Sequence, residues 1–306
     1  MRTIELGADA TGPLAATLVR HDAGAAAHER ALLHVHGFND YFFHLHLADA
    51  FAARGWAVYG LDLRRCGRSR ASGQPRHFTT DLAEYDAELD EAVRILRDDE
   101  DRSAVVVEAH STGGLIAPLW LDRRQGRSRV DGLVLNSPWF EFAGTRRQRL
   151  VADVAGETIG RIRPLAELPS PPIDAYGASI HSSRAGEWDF DLELKPLLSP
   201  VYAGWLRAVR RGQRRLHRGL GVDVPTLVLR SSRSIAASAT WSDDYLRADT
   251  VLDVAHMSRY AGCVGPRVTV DVIDGALHDL YLSDHAVRTG AIDRTVEWLD
   301  RTVPGR

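Results

Sequence analysis

The sequence predicts an α/β protein: a mainly parallel central sheet flanked by helices, interrupted once by an inserted helical cap. Three observations predict it. Short apolar, β-rich runs alternate with amphipathic helical stretches, and the runs are near-continuous Val, Leu and Ile, as strands buried on both faces require. Glycine- or serine-containing turns stand where a run gives way to a helix. The rhythm breaks only between about Trp139 and Leu220, where helical stretches, a proline-rich LPSPP and an aromatic-rich GEWDFD replace any clear strand.

Taken in order, Ala31–Val35 leads into Gly37, and a helical Leu47–Arg54 precedes the strand Ala57–Leu61, which runs into Asp62. A helix-like Leu82–Arg97, acidic at its start, precedes Ala104–Val107. Leu133–Leu135, Thr226–Leu229 and Val268–Ile273 complete the strands, and Ala286–Thr302 forms a last helix. The break between Leu135 and Thr226 is too long for a bare loop, and its Trp, Phe and Tyr content argues against disorder. The expected division is a core of residues 1–138 and 221–306 with a helical cap, 139–220, inserted into it.

A chain of 306 residues is ample for such a domain, and 44% apolar with 26% charged residues is ordinary for a globular protein. A net charge of −3 points to no nucleic-acid partner. Lys195 is the only lysine, and the arginine-dominated remainder reads as a compositional habit. Cys66 and Cys263 show neither metal-ligand spacing nor a disulfide framework, so two free thiols in a reducing compartment are expected. The opening MRTIELGADATGPL has no apolar run of signal-peptide length, and no stretch is apolar enough for a transmembrane segment. The expectation is a cytoplasmic protein acting on a small molecule, with a homo-oligomer left open.

The residues that carry chemistry follow the strands. Ala104–Val107 ends in Glu108-Ala109-His110-Ser111-Thr112-Gly113-Gly114, and the apolar helical LIAPLWL comes next. Small residues two positions either side of a serine, on a sharp strand-to-helix turn, make a nucleophile elbow, here Ala-x-Ser-x-Gly. The bland alternative is a helix N-cap serine. A serine hydroxyl needs a base, and His278 stands on the turn just beyond Val268–Ile273, at the carboxyl edge of the sheet. The acid belongs between them in sequence, after Thr226–Leu229. No carboxylate follows that strand directly, so SSRSIAASATWSDDYLRA reads as an insertion. Asp249 is the expected acid, Asp253 the runner-up with a plain N-cap role as its alternative, and Asp243 and Asp244 are more distant options. An oxyanion hole would use the backbone N–H groups of Thr112 and of Phe38, with Gly37 allowing close approach.

These residues resemble the α/β-hydrolase superfamily: HGF at 36–38, LDLRRCGRS at 61–69, AHSTGG at 109–114, DTVLD at 249–253 and GALHD at 275–279, in the order Ser, Asp, His. With a helical cap between LVLNSPW and TLVL, the chain is similar to the serine-aminopeptidase-like, monoacylglycerol lipase and lysophospholipase branch. The resemblance implies ester hydrolysis through an acyl-enzyme without cofactor or metal. It also implies a small ester substrate, with an apolar acyl group expected. Serine at the elbow disfavours the epoxide-hydrolase and dehalogenase versions, which the resemblance says use aspartate there. Ala109 in place of glycine and the displaced acid are the departures. An amidase or peptidase with the same triad, or a non-catalytic ligand-binding relative, are the rival readings.

Candidate substrate-binding residues are Gly37, His110, Trp139 and Phe140, the last two because they follow the strand Leu133–Leu135 directly. Phe142, Tyr176, Trp188, Phe190 and Trp205 line the pocket or pack the cap itself. The arginine run Arg207–Arg218 reads more readily as a solvated helix face than as an anion site. The histidines of HVHGFNDYFFHLH read as packing around the oxyanion loop, not as metal ligands.

Overall fold

In the computed structural model, which describes residues 1–21, 28–169, 175–238 and 240–303, the chain opens with two strands, β1 (Arg2–Asp9) and β2 (Gly12–Arg20). Six more strands of the main sheet follow: β3 (Arg30–Val35), β4 (Trp56–Asp62), β5 (Ala104–His110), β6 (Gly132–Asn136), β9 (Thr226–Ser231) and β10 (Val268–Ile273). Their spatial order is β1-β2-β4-β3-β5-β6-β9-β10. The β1–β2 and β2–β4 pairs are antiparallel and the remaining pairs parallel. Strands β4, β5 and β6 are buried along their whole length. Helices on both faces close two separate apolar clusters over them.

The β1–β2 hairpin is not among the expected elements. Along β1 only Ile4 is buried, so this edge strand lacks the continuous apolar run that marks the central strands. The available signal is the turn. The Asp9 carboxylate accepts the Thr11 N–H at 2.8 Å and the Thr11 hydroxyl at 2.7 Å, and Gly12 takes φ +106°, a conformation glycine adopts without strain.

Between β6 and β9 the described residues form three helices, α4 (Arg146–Ile162), α5 (Ala175–Ile180) and α6 (Ala203–Leu216). Two short strands, β7 (Glu167–Leu168) and β8 (Val201–Tyr202), pair there as well, where no strand was expected. Part of LPSPP lies outside the described residues. The arginine run is a solvated face only in part: Arg211, Arg214 and Arg218 are exposed, and the others are tied down. Arg210 is buried and ion-pairs with Glu141 and Asp153, Arg207 with Glu157, and Arg215 with Asp122, so these cations tie α6 to its neighbours. Both cysteines are free. Among the described residues no helix is long and apolar enough to cross a membrane.

Candidate active site

Ser111 sits where β5 ends and helix α3 (Gly113–Arg124) begins, with φ +54°. A left-handed conformation in a non-glycine residue is strained, and the surroundings impose it here. The Ser111 N–H donates to the Asn136 carbonyl at 3.0 Å, and its own carbonyl accepts from Trp139 N at 3.0 Å. The small neighbours are steric necessities: a Cβ on Gly113 would lie 2.5 Å from the Val35 carbonyl oxygen and 2.6 Å from that of His36.

His278 follows β10. Its Nε2 lies 3.0 Å from the Ser111 hydroxyl, and its Nδ1 donates to Asp249 Oδ2 at 2.8 Å. The other Asp249 oxygen accepts the N–H groups of Val251 and Leu252, each at 2.8 Å, so the fully buried carboxylate is fixed in its rotamer. The stretch after β9 returns on itself to make this possible. Asp249 N donates to the Arg233 carbonyl at 3.1 Å, and Ile235 N to the Asp249 carbonyl at 2.9 Å, which pins the aspartate beside the end of β9. Asp253 is the N-cap of helix α7 (Val254–Ala261), accepting from Ala255 N at 2.9 Å. Asp243 and Asp244 are exposed in a short 3-10 turn.

Gly37 brings the loop after β3 against the serine: a Cβ there would meet the Ser111 Cβ at 2.9 Å. The amide nitrogens of Phe38 and Thr112 carry no hydrogen bond to a protein acceptor among the described residues, leaving both donors free beside Ser111. Asn39 N donates to His77 Nδ1 at 3.2 Å, which ties the next residue of that loop. His110 packs its ring 4.8 Å from that of His278, and burial pulls its pKa down to about 3, so it stays neutral. The histidines of the early loop each have separate partners: His34 Nδ1 meets Glu108 at 2.5 Å, His44 Nε2 meets Asp279 at 2.8 Å, and Leu63 N donates to His36 Nε2 at 3.0 Å.

Two cavities meet at Ser111 and Phe38. One, of about 320 Å³, is lined by His110, His278, Asn39, Asp40, Tyr176 and Lys195 among others. The other, of about 300 Å³, is walled mainly by Trp139, Phe142, Leu168, Trp205, Leu206 and Leu252. Thr112 faces this second cavity. Trp139 and His110 therefore stand where substrate binding was expected, and Gly37 acts from behind the serine. Phe140 does not line either cavity. Its side chain is buried in the core, while the chain bends after β6 and Trp139 lines the second cavity. Asp40 and Lys195 were not singled out as site residues in the sequence, whereas Tyr176 was among the aromatics left between pocket lining and cap packing, and it lines the first cavity. The signal for Lys195 was its uniqueness in composition. Asp40 offered only its place three residues after Gly37.

A family model described as serine aminopeptidase, S33, matches residues 26–284. No curated protein matches the chain. Among solved structures, a soluble variant of monoglyceride lipase from Saccharomyces cerevisiae, in complex with a substrate analogue, superposes with a TM-score of 0.72 at 16% identity, covering 99% of this chain and 96% of that one. A monoacylglycerol lipase from Paleococcus ferrophilus gives 0.68 at 18% identity over 94% and 99%. A thermophilic esterase from Thermogutta terrifontis gives 0.58 at 17% identity over 99% of each. At these identities the structural likeness establishes the α/β-hydrolase fold.

Proposed function

The chain belongs to the serine aminopeptidase S33 family of α/β-hydrolases, and from that premise we propose that it is a serine hydrolase cleaving carboxylic esters through Ser111, His278 and Asp249. The observation that carries this reading is the unbroken hydrogen-bonded line from the Ser111 hydroxyl through His278 to a buried carboxylate. Asp249 holds the imidazole in the tautomer whose Nε2 is a free base. His278 takes the Ser111 proton as the oxygen attacks the ester carbonyl, and the oxyanion accepts the Phe38 and Thr112 N–H groups. When the carbon–oxygen bond to the alcohol breaks, His278 returns the proton to the departing oxygen. Water then gives a proton to His278 and attacks the acyl-enzyme, and Ser111 leaves with that proton as the acid is released.

Residues 139–220 act in this reading as the cap, supplying Tyr176 and Lys195 to one cavity and Trp139, Phe142 and Trp205 to the other. The same triad serves amides, but an aminopeptidase must bind a free ammonium group with an unpaired carboxylate. Asp40 is the one carboxylate among the described residues lining these cavities, and it is already paired with Lys195 at 2.8 Å. That favours an ester. The two free thiols fit a reducing, cytoplasmic setting.

The test is hydrolysis of a p-nitrophenyl ester and an aminoacyl anilide by the wild type and Ser111→Ala. The expected result is ester cleavage, weak or no anilide cleavage, and a fall of about ten-thousand-fold or more in kcat for the variant with its circular dichroism unchanged. Wild-type esterase activity in Ser111→Ala would end the proposal.

A further inference from the structure

The protein has 38 lysines and arginines together, and its single lysine lies in the catalytic cavity. Lys195 is buried, 2.8 Å from Asp40, with its ammonium 5.1 Å from the rings of Phe43 and Phe190 and 5.8 Å from that of Tyr176. A chain that places arginine at every other cationic position places here the compact ammonium. The ammonium is a compact point charge with three rotatable donors, whereas a guanidinium would present a larger, fixed planar fork.

The ammonium has three donors, and Asp40 takes one of them. Asp40 is itself oriented, since its Oδ1 accepts both the Tyr41 N–H at 2.9 Å and the lysine. The pair thus offers spare donor and acceptor capacity to the cavity at zero net charge. Zero net charge disfavours an anion, whose burial would leave one negative charge uncompensated. A hydroxyl group matches, because it accepts from an ammonium and donates to a carboxylate at once.

The side of the substrate that meets this pair follows from the acid step. The group that protonates the departing alcohol must stand beside it, and His278 lines the cavity containing Lys195 but not the apolar one. The acyl group is left with the cavity of Trp139, Phe142 and Trp205, where Thr112 also faces. Resting on the ester-hydrolase reading above, we propose that Lys195 and Asp40 form a leaving-group subsite that selects esters whose alcohol carries a second hydroxyl. Lys195 and Asp40 are specificity-determining residues for the same reaction.

Ethylene glycol monobutyrate and propyl butyrate test this, since they share the acyl group and differ by a hydroxyl in place of a methyl. Wild type is expected to favour the hydroxylated ester by about tenfold or more in kcat/KM. In Lys195→Met/Asp40→Asn, which removes both charges together, the ratio of the two rates is expected to fall to near one. The ratio is internal to each protein, so a general loss of activity does not obscure it. If that variant does not fold, inhibition of the wild type by ethylene glycol against propanol carries the test, with the diol expected to bind more tightly. A wild-type ratio near one, a double variant that keeps the wild-type ratio, or equal inhibition by the two alcohols overturns the subsite and leaves the hydrolase reading standing. Failure of the wild type to cleave either ester overturns that reading and the subsite with it.

Discussion

Ser111, His278 and Asp249 leave the carboxyl edge of the sheet on backbone fixed from both sides: the serine between Asn136 and Trp139, the aspartate between Arg233 and Ile235. Tyr176, Lys195 and Trp205 instead descend from separate elements of the segment 139–220, held by side-chain ties such as Arg210 to Glu141 and Lys195 to Asp40. The floor of the site is set by backbone bonds at the sheet edge, while the roof combines its own β7–β8 pair with individual side-chain ties to the rest of the chain. A change in the floor should therefore stop the chemistry without unfolding the chain. A change in the roof should alter stability or substrate choice while the chemistry survives.

The largest effect is expected from the floor. Asp249→Asn keeps an oxygen for the Val251 and Leu252 amides but turns an N–H toward His278 Nδ1, which forces the wrong tautomer. The expected fall in kcat on a p-nitrophenyl ester is about a thousandfold to ten-thousandfold, with the unfolding transition little moved. A fall below tenfold would return the acid role to another carboxylate.

On the roof side, Arg210→Met leaves the Glu141 carboxylate buried beside a methyl group. Breaking a buried pair from one end is expected to cost about 4 kcal/mol of stability. Urea unfolding measures it, and a cost under about 1 kcal/mol would make the arginine run the solvated face the sequence suggested.

Two histidines give a pH test, His110 buried at the elbow and His46 half-buried on the helix Leu45–Ala52 beneath Trp188 of the inserted segment. Burial lowers His110 to about 3 and His46, packed under Trp188, to about 4, from an ordinary 6.5. Both are neutral in the folded state at neutral pH. The unfolded chain takes up their protons below about pH 6.5 and the native chain does not, so stability falls as pH drops from there toward the folded values. Each should contribute a loss of about 2 kcal/mol between pH 7 and 5. Replacing His46 by Gln should flatten the urea-midpoint profile by its share. An unchanged profile would contradict its neutral burial.

The smallest effect concerns substrate choice. Phe142→Ala is expected to raise KM about tenfold for long-chain esters and hardly for acetate, by removing apolar wall from the second cavity. An equal effect on both would put the acyl group elsewhere.

What was legible in the sequence follows the same division. The elbow could be read because its constraints are local: a strand, a small residue, a serine, a glycine that clears the Val35 and His36 carbonyls, then a helix. His278 was legible from its place after the last strand. Asp249 was harder, since its position depends on the stretch after β9 folding back so that residue 249 pairs beside residue 234. Phe140 was assigned to the wrong side because adjacency in sequence does not fix direction at a chain bend. Lys195 carries no local pattern and Tyr176 was one cap aromatic among several; only folding of the inserted segment brings them to the cavity of His278, where the Tyr176 ring stands edge-on at 5.3 Å. The β1–β2 hairpin escaped notice because a one-sided edge strand buries too little apolar surface to write a run.

The most direct measurement is covalent labelling of the native protein with a fluorophosphonate, followed by mapping of the adduct by mass spectrometry. One adduct is expected, on the peptide containing Ser111, absent from Ser111→Ala and much slowed in Asp249→Asn. A label on any other residue, or none on a folded wild type, would contradict Ser111 as the nucleophile.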